Sequence, residues 1–106
     1  RIPWLIELNK EILASEKNGV VVACSALKER YRSDLSKGII SEKILWVYLH
    51  SDLNTLKKRL EKRAHFMPAS LLESQLKILE VPGNAIHLEA ALTTKEQINQ
   101  LKPYLR

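Results

Sequence analysis

Two clusters of residues have types and spacings suited to chemistry on anions. The first is Ala23-Cys24-Ser25-Ala26-Leu27-Lys28, continuing to Tyr31-Arg32. An apolar run ends there, and a helical pattern begins with a hydroxyl. Helix N-termini attract anions through unpaired amides and the dipole. Lys28 and Arg32, four apart, fall on one face of a helix. Together they could hold a carboxylate or a phosphate. A serine N-cap followed by two solvated cations accounts for the same residues equally well. The second cluster is Arg59-Leu60-Glu61-Lys62-Arg63-Ala64-His65-Phe66-Met67-Pro68. Arg59 and Arg63 share a face if a helix continues that far. Guanidinium groups on a segment that closes over phosphates would neutralise charge developing on a transferred group. A cation-rich helix C-terminus that complements the dipole is the commoner origin of such a run.

The remaining reactive types carry less signal. Cys24 ends an apolar run, where a lone cysteine is more often a small buried hydrophobe than a nucleophile. His65 suits acid–base, structural or binding work, whereas His50 falls just past one candidate strand and His87 inside another. These separated histidines have no carboxylate or cysteine at ligand spacing, so no metal site is expected. No Ser/His/Asp set with a nucleophile elbow is present.

The elements that must position these groups follow from periodicity. Pro3 suits a helical first turn, and Leu5, Leu8, Ile12 and Leu13 recur at helical spacing until Asn18-Gly19. Val20-Val21-Val22-Ala23-Cys24 reads as a strand covered on both faces. Ser25 is the expected N-cap of a helix over 26–36, broken by Lys37-Gly38. Ile44 to Leu49 reads as a second strand. Ser51-Asp52 caps a third helix with Leu53, Leu56 and Leu60 inward. Pro68 opens a fourth, with Leu72, Leu76 and Leu79 on one side. Ala85 to Leu88 is a third short strand, and Thr93 or Thr94 caps a last helix carrying Ile98, Leu101 and Leu105. Strands alternating with helices predict an α/β fold, a parallel sheet flanked by helices. Ligands in such sheets sit beyond the carboxyl ends of the strands, which points to 25–28 and 50–52. Three strands make a thin sheet, so a further strand and helix are expected upstream, in keeping with an opening on Arg1 rather than Met.

Composition bounds the rest. The 106 residues suit one domain, and 45% apolar content is ordinary for a globular chain. With 17 Lys+Arg against 12 Asp+Glu the net charge is +5. The charges are scattered and aromatics are few, which argues against a nucleic-acid binder. No apolar run approaches a membrane span, and the front shows no leader pattern. A single cysteine excludes an internal disulfide framework and fits a reducing, cytoplasmic setting.

Taken in order, several of these segments resemble one family. Arg1-Ile2-Pro3-Trp4-Leu5, Ala23-Cys24-Ser25-Ala26-Leu27-Lys28 with Tyr31-Arg32, and His65-Phe66-Met67-Pro68 with Leu71-Leu72 and Ser74-Gln75 resemble gluconokinase motifs. Leu79-Glu80 with Pro82-Gly83 resembles a fourth. Gluconokinases are P-loop small-molecule kinases of the shikimate-kinase-like group, and the likeness runs over nearly the whole chain. It implies a three-layer P-loop kinase-like fold and ATP-dependent phosphorylation of D-gluconate to 6-phosphogluconate. It implies one partial domain over 1–106 with a lid near 59–68. By position, Ser25, Lys28, Arg32 and His65 would meet the sugar acid, and Arg59 and Arg63 would act catalytically on the ATP phosphates. ATP and Mg2+ are the implied cofactors, and the pattern is compatible with a homodimer. The chain has no G-x-x-x-x-G-K-[ST] loop, which holds phosphates and, through its Ser/Thr, magnesium. The resemblance therefore corresponds to the family's C-terminal part, with the first βα unit and the magnesium ligands expected upstream. Residues 1–106 alone are expected to have little or no kinase activity. Arg63-Ala64-His65 is one residue shorter than the family pattern and lacks its glycine. A non-catalytic protein that binds a sugar acid or nucleotide, or serves as an interaction module, fits the missing loop as well.

Overall fold

A computed structural model describes residues 2–15, 17–26, 28–62 and 69–105. The chain divides into two compact units, Arg1–Ile44 with Ile78–Val81, and Leu45–Lys77 with Pro82–Arg106.

In the first unit, α1 spans Pro3–Ala14 with proline in its first turn. It ends four residues earlier than Asn18-Gly19 suggests. The amides of Asn18 and Gly19 turn back onto the Ser15 carbonyl, at 3.1 and 3.0 Å, and Gly19 adopts φ +76°. That left-handed geometry is nearly free only for glycine. Helix α2 covers Glu29–Leu35 and packs against α1. Leu5 and Leu35 are buried there, Leu5 completely. The Asn9 side-chain amide donates to the carbonyls of Leu35 (2.7 Å) and Lys37 (3.0 Å). Helix ends leave carbonyls without intrahelical partners, and α1 thus supplies donors at the end of α2.

The expected strand Val20–Cys24 is not one. Among the described residues no ladder forms there, and Val21 is 98% exposed. An apolar β-branched run favours extended backbone, but a strand exists only through hydrogen bonds to a neighbour.

In the second unit, β1 (Val47–His50) and β2 (Ile86–Glu89) pair in parallel. The register sets Val47 against Ile86, Tyr48 against His87, Leu49 against Leu88 and His50 against Glu89. Helices α3 (Leu53–Glu61) and α4 (Ala69–Ile78) lie between the strands in sequence, as a parallel crossover requires. Helix α5 (Thr94–Leu101) packs on β2. Leu88 is buried at 2% exposure. Leu53, Leu56 and Leu60 are only half-buried, so the expected inward face of α3 is partial.

The caps of this unit are local, and two match the expectation. Asp52 accepts from the Thr55 amide (2.7 Å) and hydroxyl (3.1 Å). Thr93 and Glu96 form a reciprocal capping box. The Thr55 amide, then its hydroxyl, hold the Asp52 carboxyl below its ordinary range. A lowered folded-state value means that the cap contributes above the unfolded carboxylate range. The contribution is lost as pH falls through the lowered value. Far-ultraviolet dichroism is expected to lose helical signal as pH drops below about 4. Asp52→Asn, which keeps an acceptor but does not titrate, should shrink that component. An unchanged acid transition in the variant would contradict the assignment.

Candidate functional site

The segment that precedes α2 carries the first cluster. Ser25 is exposed, and its hydroxyl engages no described residue. It is not the N-cap. Helix α2 begins three residues later than expected, and Lys28 occupies the N-cap position without a side-chain bond. The Lys28 carbonyl accepts from Tyr31 (3.0 Å) and Arg32 (3.2 Å). Its half-buried side chain is not drawn into any ion pair among the described residues.

Arg32 differs from Lys28, although spacing puts them on one helix face. Arg32 is 6% exposed. Its Nη1 donates to the Ala26 carbonyl at 2.6 Å. Its Nη2 donates to the Glu80 carbonyl at 2.7 Å and to Glu29 Oε2 at 3.0 Å. Only Nε lacks a partner among the described atoms. A buried guanidinium is stable only with such a set of acceptors, and its planar fork suits two divergent carbonyls. Sequence reasoning found Arg32 but missed Glu80 as its partner. The one available signal was the presence of Leu79-Glu80 in the fourth motif.

Cys24 lies next to Ser25. Partial burial pushes its thiol up, and the Ala26 amide offsets this in part. A raised thiol is protonated at neutral pH and is a poor nucleophile.

Arg59 belongs to the second unit. It is exposed in the last turn of α3 and donates from Nη2 to the Ala90 carbonyl at 2.8 Å, just past β2. Arg63 and His65, and with them most of the expected lid, lie outside the described residues. Helix α3 ends at Glu61 with Lys62 as its C-cap. His50 and His87, which carried little signal in sequence, share a sheet face with Tyr48. Tyr48 and His87 meet edge-on with centroids 5.2 Å apart, and His50 and His87 are 5.9 Å apart. His87 Nε2 lies 3.1 Å from the Pro82 carbonyl, so that nitrogen carries the proton. Among the described residues no group of three or more His, Cys, Asp or Glu could hold a metal ion. No described helix is long and apolar enough to cross a membrane.

No model of a protein family matches the chain. It is 44% identical over 100 residues to a probable gluconokinase of Xenopus tropicalis, covering 78% of this chain and 52% of that protein. It is 42% identical over 86 residues to the thermosensitive gluconokinase of Escherichia coli K12, covering 77% and 44%. Among solved structures, a gluconokinase from Sinorhizobium meliloti 1021 superposes with a TM-score of 0.77 at 36% identity, over 94% of this chain and 58% of that one. The chain thus spans about half the length of the curated relatives it matches. Parallel strands joined by helices, with that structural match, define the class as an α/β protein of P-loop kinase fold. Within that class the chain is similar, over most of its length, to proteins named gluconokinase.

Proposed function

We propose that the protein carrying this chain transfers a phosphoryl group from ATP to D-gluconate, giving 6-phosphogluconate, and that residues 1–106 form one partial domain of it. The observation that carries this is similarity to gluconokinases over most of the chain. In this reading the Lys28 ammonium pairs with the gluconate carboxylate. The exposed Ser25 hydroxyl bonds a substrate hydroxyl. Arg32, with its Nη donors committed to the protein, contributes at most its Nε to the substrate and chiefly holds the turn. Arg59 and Arg63 serve the ATP phosphates, where guanidinium charge offsets what develops on the transferred group. His65 meets the substrate or shapes the lid over about 59–68. A cytoplasmic location, and no nucleic-acid or membrane partner, complete the proposal.

The test is a coupled assay of the intact protein with gluconate and magnesium–ATP. Gluconate-dependent nucleotide turnover is expected, and its absence would defeat the proposal. Lys28→Ala is expected to raise the gluconate KM about tenfold with kcat within about threefold, as loss of a uniform binding contact does. A fall in kcat at unchanged KM would move Lys28 away from the sugar-acid end. Calorimetry of residues 1–106 with gluconate and with ATP separates a binding module from an enzyme.

A further inference from the structure

Glu80 sits 51 residues beyond Glu29 in sequence, yet its Oε1 accepts from the Glu29 amide at 2.7 Å. Glu29 is the first residue of α2, and its amide has no intrahelical partner. Lys28, at the N-cap, has no side-chain oxygen to offer. Glu80 therefore supplies from a distant segment the acceptor that an N-cap serine or aspartate would supply locally.

Glu80 also acts through a second atom. Its carbonyl accepts from Arg32 Nη2, and Arg32 Nη1 reaches back to the Ala26 carbonyl. Ala26 is thus tied to Arg32 and the Glu29 amide to Glu80, and Arg32 and Glu80 are bonded to each other. Glu29 adds its own carboxylate to Arg32, but that side chain is 69% exposed and the pair is screened. The bonds hold the first turn of α2, beside Ser25 and Lys28.

We propose that Glu80 is a positioning residue for this turn: its carboxylate caps α2, and its carbonyl holds Arg32 against Ala26. The assignment of the turn to gluconate rests on the function proposed above, while the cap rests on geometry alone. The role needs a hydrogen-bond acceptor of glutamate's reach rather than a negative charge.

Amide hydrogen exchange at Glu29 and steady-state kinetics of the intact protein test this together. Glu80→Ala is expected to speed Glu29 exchange about fivefold, the size of a lost cap. It should raise the gluconate KM about five- to tenfold, with kcat within about twofold. Glu80→Gln keeps the acceptor and should return both quantities to within about twofold of the parent. Glu80→Asp keeps the charge, falls short by one methylene, and should behave as alanine does. Unchanged Glu29 exchange in Glu80→Ala, or equal defects in the glutamine and alanine variants, would overturn the proposal. So would a fall in kcat at constant KM. If Glu80→Ala does not fold, the contrast between Glu80→Gln and Glu80→Asp decides on the same readouts. Absence of gluconate turnover by the parent protein would overturn the link to substrate, and the exchange ratios would still decide the cap.

Discussion

Arg32→Ala is expected to destabilise the unit built from Arg1–Ile44 and Ile78–Val81 by about 3 kcal/mol. The substitution removes donors to two backbone carbonyls, Ala26 at 2.6 Å and Glu80 at 2.7 Å, and empties the space of a side chain 93% buried (7% exposed). Carbonyls stripped of a charged donor must find water or stay unsatisfied, and either outcome costs free energy. Arg32→Lys is expected to recover little, since one ammonium cannot reproduce a planar fork aimed at two separated acceptors. Urea denaturation measures the change. Trp4 lies in this unit and Trp46 in the other, so a Trp46→Phe background leaves Trp4 as the fluorescent reporter. A loss below about 1 kcal/mol would mean that Arg32 behaves as a solvated cation, as its spacing from Lys28 suggests.

Leu88→Ala is expected to cost about 2–4 kcal/mol in the other unit. Leu88 is 2% exposed on β2 and faces the same side of the sheet as its register partner Leu49, which is 57% exposed. The two leucines have identical chemistry and adjacent places, so their difference isolates burial. Leu49→Ala should cost under about 1 kcal/mol, because little apolar area leaves water there on folding. Denaturation followed by Trp46 in a Trp4→Phe background gives both values. Equal costs for the two leucines would overturn the assignment of the covered face.

What the sequence made legible was what is local. Asp52 and Thr93 were readable as caps because donor and acceptor lie three residues apart. Strands β1 and β2 were readable as apolar runs, each displaced by one to three residues because pairing, not composition, sets their ends. Val20–Cys24 has the composition of a strand, but composition cannot supply the neighbour that defines one. The start of α2 was misplaced for the same reason. Ser25 is an excellent local capping residue, yet the acceptor that starts the helix comes from Glu80. Within the candidate site, Ser25, Lys28 and Arg32 were visible as a cluster. That Lys28 makes no ion pair among the described residues while Arg32 is buried was not, since equal spacing on a helical wheel does not say which cation meets carbonyls. Arg59 was visible as a cation at a helix end, but not its bond to Ala90.

Helix α2 has only seven residues, and distant residues serve both of its ends: Glu80 takes the Glu29 amide and Asn9 donates to the Leu35 carbonyl. A seven-residue segment is too short to repay its own nucleation in water. At its N-terminus no local side chain caps it. The order of events in folding follows. The loops that bring residues 9 and 80 to this segment must close before the helix is worth forming, so α2 is a late element rather than a seed. The first turn of α2 then takes its final shape only when residues 9 and 80 are already in place. A peptide of residues 25–37 is expected to be unstructured on its own.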